Sequence, residues 1–184
     1  MEDEPTFNPL YEAVLGGDLS LVRSLIAKGA RVTWEPSPFD ESPLHAAAQL
    51  GHANILRLLI ETGGRSYLNA FAGIGHTPLI EAVRSRQVDA VKVLLEAGAD
   101  VDANDESEIG DTAIHHAVAK GYEEIVELLL AAGADPNIRG WMQHNAVDEA
   151  YHRFEKLRDA ESERILKLVE RAAKNFPERP VEHS

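Results

Sequence analysis

Eight histidines and a dense set of carboxylates are the residues of this 184-residue chain with reactive chemistry to offer. His115 and His116 are adjacent, and a metal ion or a catalytic base is the first chemistry such a pair suggests. Neighbours on a helix point about 100° apart, so the two rings do not readily grip one ion. Asp100, Asp102 and Asn104, with Asp111 at the twelfth place, partly imitate a calcium-binding loop. Its sixth position is Asp105 where the sharp turn demands glycine, and its twelfth is an aspartate where a longer, bidentate glutamate is usual. No Ser/His/Asp or Cys/His set, phosphate-cradling glycine loop or H-E-x-x-H motif is present, and there is no cysteine. The expectation is therefore a chain without catalytic residue, cofactor or metal, and not an enzyme.

The side chains point to binding instead. Trp34, Phe39, Tyr67, Phe71 and Trp141, five of the eleven aromatics, fall in segments that connect helices rather than in the helices themselves. Connectors run over the surface and are normally polar, so aromatics there are either buried against one another or are interface anchors, the usual hot spots of binding surfaces. The connector from Asp100 to Asp111 carries six acids, Asp100, Asp102, Asp105, Glu106, Glu108 and Asp111, and no base. Such a segment steers a positively charged partner. With these rings, Ile74, Asp105, Glu106, Glu108, Ile109, His116 and Met142 complete the predicted partner-binding set.

The elements that must position these residues are read most clearly in Gly110 to Asn137, GDTAIHHAVAKGYEEIVELLLAAGADPN. Thr112 is an N-cap for a short helix through Ile114, Ala117 and Val118; Gly121 interrupts it before a second helix that places Val126, Leu129 and Leu130 on one stripe. Ile125 and Leu128 add a second stripe, so that helix must be covered on two sides. Similar N-caps recur at Asn8, Ser42, Thr77, Thr112 and Asn145, spaced by 34, 35, 35 and 33 residues, and three of them precede a proline. The helix-ending glycines Gly29, Gly63, Gly98 and Gly133 keep the same step. Val22, Leu56, Val91 and Val126 align between them, as do Leu25, Leu59, Leu94 and Leu129. The chain is an array of four clear repeats and a fifth variant.

Ser42-Pro43-Leu44-His45-Ala46-Ala47, Thr77-Pro78-Leu79 and Gly98-Ala99-Asp100-Val101 resemble the ankyrin repeat, whose signature is T-P-L-H-x-A at a period near 33. The likeness covers roughly residues 8 to 140. It departs from the pattern in its spacing, the surplus falling where the family places its β-hairpin fingers, and in Tyr11, Ile80 and Asp148, which stand where His would sit. The resemblance implies an all-α ankyrin-repeat solenoid of about five helix-turn-helix repeats with extended β-hairpin or loop fingers. It also implies that His45 and His115 are buried rings hydrogen-bonded to backbone between repeats, and that His116 faces the concave groove.

The expected organisation is a lead-in over 1–7, a single repeat domain over 8–176 and a frayed tail over 177–184. Within the domain the repeats lie near 8–41, 42–76, 77–111, 112–144 and 145–176. Pro36 and Pro38 should abolish regular pairing in the first finger. The net charge of −13 is uneven: residues 1–150 hold 10 basic and 24 acidic side chains, and 151–184 hold 8 and 7. A negative surface repels phosphate backbones and anionic lipids, so the expected partner is a protein with a basic surface, not nucleic acid or membrane. Met-Glu-Asp-Glu-Pro does not read as a secretory signal, and a cytoplasmic monomer is favoured. The function that follows is non-catalytic protein binding through finger tips and groove, as in an inhibitor or immunity-type protein for a basic enzyme or toxin. A self-associating structural adaptor and a host-directed bacterial effector are the alternatives.

Overall fold

A computed structural model describes residues 8–32, 41–72, 75–104 and 110–176. Ten α-helices lie among them in five consecutive pairs: α1 (Pro9–Leu15) with α2 (Leu19–Ala27), α3 (Pro43–Gln49) with α4 (Ala53–Glu61), α5 (Pro78–Arg84) with α6 (Val88–Glu96), α7 (Ala113–Lys120) with α8 (Glu123–Ala131), and α9 (Ala146–Leu157) with α10 (Ala160–Ala173). Each odd-numbered helix begins at its expected N-cap. The side chains of Asn8, Ser42, Thr77 and Asn145 accept backbone N–H groups of the first turn, while Thr112 takes part in a reciprocal capping box with His115.

Odd-numbered helices stack on one another down the array, and even-numbered helices do the same on the other side. The core is the continuous seam between the two layers. Leu56, Leu59, Val91, Leu94, Val126 and Leu129 are fully buried there, as their alignment predicts. Leu25, in the same register, is only half-buried, because the first described pair has a neighbour on one side alone. The other end is closed by charge: Arg164, Lys167, Glu170 and Arg171 of α10 are exposed, and Arg164 grips Glu123 of α8 through two bonds of 2.6 and 2.8 Å.

The turn within each pair passes through a left-handed residue, which is Gly17, Gly51 and Gly121 in three repeats and Arg86 in the third, at φ 56°. A side chain in that conformation costs about 1–2 kcal/mol. The Arg86 guanidinium lies over the Tyr122 ring, 5.2 Å from its centroid, which offsets part of the cost. In the fifth pair the lengthened spacing appears as a 12-residue α9 that ends at a left-handed Arg158, φ 51°.

Between pairs, the described connectors are loops and short 3₁₀ turns. Arg65, Ser66 and Tyr67 belong to a 3₁₀ turn over Gly64–Tyr67, and among the described residues of that finger the pairing is an isolated bridge between Ala72 and His76. A second 3₁₀ turn spans Trp141–Gln143. The expected loss of pairing around Pro36 and Pro38, and the lead-in and tail, fall outside the described residues. Among the described residues no helix is long and apolar enough to cross a membrane.

Candidate protein-interaction surface

The bases of the fingers are fixed by histidine. Nε2 of His45 lies 3.0 Å from the Ala70 carbonyl and 3.1 Å from that of His76, and Nε2 of His115 lies 3.3 Å from the His144 carbonyl. Carbonyls only accept, so Nε2 carries the proton in both rings. Nδ1 is then the acceptor, taking the Ser42 hydroxyl at 2.7 Å in one repeat and the Thr112 hydroxyl and N–H at 2.9 and 3.2 Å in the other. Burial lowers both pKa values and keeps the rings neutral. Each of these two histidines ties the inner helix of its repeat to the connector that leads into the next, a buried ring bonded to backbone as the resemblance implies. Ile80, in the same register, is simply buried, and Asp148 accepts the Asn145 N–H at 3.1 Å to complete a capping box.

Along the same face, the last three N-caps, Thr77, Thr112 and Asn145, are each preceded by one titratable residue, with another five positions later. The pairs are His76 and Glu81, Asp111 and His116, and His144 and Glu149, so imidazole and carboxylate alternate from repeat to repeat. His76 Nδ1 lies 2.6 Å from Glu81 with both side chains nearly buried, whereas His144 lies 3.6 Å from Glu149 in a more open setting. His116 is half-buried and meets His76 edge-on at 5.5 Å. Burial above all, then the positive charge of Arg84, lowers its pKa to about 4. It is a neutral ring packed on the floor of this face.

Among the described residues, the fourth finger presents the most exposed large apolar side chains. Trp141 is 61% and Met142 64% exposed. Met142 and Gln143 are both left-handed, at φ 56° and 63°, a conformation that costs about 1 kcal/mol or more for each non-glycine residue. Four contacts hold the turn in place: Trp141 N–H donates to Asp111 at 2.8 Å, Gly140 N–H to the His144 carbonyl at 2.8 Å, the Arg139 guanidinium to the Gln143 carbonyl at 2.7 Å, and Gln143 N–H to the Gly140 carbonyl at 3.1 Å. A Cβ at Gly140 would collide with the Asp111 carboxylate and push it away from the Trp141 N–H that it accepts. An exposed turn that is both strained and pinned marks a functional site more often than a packing accident.

Of the other predicted contact residues, Phe71 is 39% exposed and Tyr67 half-buried. Trp34, Phe39, Ile74, Asp105, Glu106, Glu108 and Ile109 lie outside the described residues. At the base of the acidic finger the side chains serve the backbone: Asp100 accepts Asp102 N–H, Asp102 accepts Asp135 N–H at 3.0 Å, and Asn104 donates to the Gly110 carbonyl. Their structural use explains the calcium-like spelling, and among the described residues no His, Asp and Glu group could hold a metal ion. The sequence missed Tyr151, 52% exposed, and the contacts among His144, Glu149 and His152. Their positions in the repeat register were the available signal, obscured because the last unit reads as a solvated cap.

Comparison with known proteins places this architecture. Residues 10–105 match the family described as "Ankyrin repeats (3 copies)", and residues 109–141 match "Ankyrin repeat". The chain is also similar to Alpha-latrotoxin-Lhe1a of Latrodectus hesperus, 33% identical over 82 residues. That stretch is 45% of this chain and 6% of the toxin's length.

Proposed function

The chain belongs to the ankyrin repeat family, whose repeats are protein–protein interaction modules, and from that premise we propose that it recognises a basic protein partner through its finger tips and concave face, without catalysis. The observation that carries this reading is the Trp141–Met142 tip, two large apolar side chains held out in water by a strained and pinned turn. The charge of −13 supports a partner of opposite sign. Phe71, Tyr67 and the acidic finger with Asp105, Glu106 and Glu108 extend the contact, and the remaining predicted residues, Trp34, Phe39, Ile74, Ile109 and His116, join it from neighbouring connectors and the groove floor. A small acidic stack of this kind acts as an inhibitor or immunity-type protein that masks a basic enzyme or toxin. The absence of cysteine suits a reducing compartment, and the cytoplasm is the proposed site of action.

The test is affinity capture from native lysate, followed by a binding measurement with the captured protein. The double variant Trp141→Ala, Met142→Ala should weaken binding by about thirtyfold or more, the scale of an interface hot spot of about 2 kcal/mol, at unchanged thermal stability. Full retention by that variant rejects the tip as the anchor. If the captured protein is an enzyme or toxin, suppression of its activity by the chain supports masking. Capture of a second copy alone supports the structural-adaptor reading instead.

A further inference from the structure

The start of α9 carries a side-chain cluster that packing does not require. The rings of His144 and His152 are 5.1 Å apart between centroids, and Tyr151 meets His152 edge-on at 6.3 Å. Glu149 lies 3.6 Å from His144, and their side chains retain 33% and 37% exposure. Tyr151 is 52% exposed and His152 is exposed as well, so none of the four is held there by core packing. Trp141, pinned to Asp111, stands in the turn that ends at His144.

Aromatic faces beside a carboxylate suit one chemical group above others, a planar guanidinium, which stacks on rings while it donates to an acid. An anion at the same place would face Glu149, and an apolar side chain would gain nothing from that carboxylate while covering part of its exposed surface. The cations that flank the cluster are engaged: Arg139 donates to the Gln143 carbonyl, and Arg153 reaches the Ala119 carbonyl and Glu161. The molecule already uses the same chemistry internally, where Arg86 lies over Tyr122. We infer that Trp141, His144, Glu149, Tyr151 and His152 form a seat for an arginine side chain of the protein partner. The inference rests on the protein-recognition reading and adds the residue type that is recognised and where it docks.

Hexa-arginine is the probe, with hexa-citrulline as an uncharged control of nearly the same shape. Trp141 and Trp34 are the two tryptophans, so a Trp34→Phe background makes fluorescence a report on Trp141 alone. Saturable binding at least tenfold tighter for hexa-arginine than for hexa-citrulline is expected. Tyr151→Ala and Glu149→Gln should each weaken it by about two- to fivefold, the scale of a cation–π or exposed charge contact. Glu127→Gln, which removes one exposed charge from α8 on the outer layer, should leave affinity unchanged. Both tested side chains are partly exposed, and thermal melts confirm that each variant folds. No preference for arginine over citrulline, or equal effects of Glu127→Gln and Glu149→Gln, overturns the seat. Either outcome leaves the wider reading standing as long as the captured partner is still lost with the Trp141, Met142 double variant.

Discussion

Acid should unstitch this stack through His116, and the size of the effect follows from its surroundings. Burial and Arg84 hold the imidazole pKa at about 4, against 6.5 in the unfolded chain. Because the unfolded state takes up the proton first, the stability is complete above about pH 6.5 and falls as the pH drops toward about 4, below which the loss levels off. A shift of about 2.5 units at about 1.36 kcal/mol each sets a ceiling of about 3.4 kcal/mol, of which about 2.5 kcal/mol is gone at pH 4.5. The buried His45 and His115 act in the same direction. Glu81, which burial pushes up but the His76 hydrogen bond and nearby positive charge bring below its ordinary value, contributes a further acid loss. The variant His116→Gln has no proton to take up, and the other groups are common to both proteins. Urea unfolding at pH 7.5 and 4.5 should therefore show the wild type losing about 2–2.5 kcal/mol more than the variant, a large part of the 5–15 kcal/mol typical of a folded domain. Equal losses in the two proteins would refute the half-buried, neutral His116 and with it the packing against His76.

Two further outcomes test the register and the charge. Leu129 is fully buried in the seam between layers, so Leu129→Ala should cost roughly 2–5 kcal/mol in denaturant unfolding, and a change below about 1 kcal/mol would contradict the repeat alignment. Replacing Asp105, Glu106 and Glu108 by Asn, Gln and Gln should slow association with the captured partner and flatten its dependence on salt, since exposed charges are screened beyond about 8 Å at physiological ionic strength. Identical salt slopes for the two proteins would assign those acids to solubility alone.

The architecture was legible because its determinants are local. Asn8, Ser42, Thr77, Thr112 and Asn145 announce five helix starts by type and spacing, and the buried alignment of Leu59, Leu94 and Leu129 follows from period alone. The roles of His45 and His115 came with the family resemblance. The surface was harder to read because its geometry depends on the fingers. Nothing in the letters Met142-Gln143 signals two left-handed residues, since the usual glycine or asparagine is absent and the turn is imposed by Asp111 and Arg139. The meeting of His144 with His152 depends in turn on where that strained segment delivers the chain to α9. Aromatic content in a connector marked Trp141, but no sequence pattern marked Tyr151.

The bond from Trp141 N–H to Asp111 spans thirty residues and joins the end of one repeat to the start of the same repeat's inner helix, while His115 of that helix holds the His144 carbonyl. The exposed tip is thus oriented by the helix one unit upstream of the α9 surface it adjoins. For protein engineering, the portable cassette is the junction between the fourth and fifth units, from Asp111 to the second turn of α9. A graft of the fifth unit alone onto another scaffold would carry the α9 residues without the aimed tip, and a graft of the fourth alone would carry the tip and its bonds without the α9 side chains.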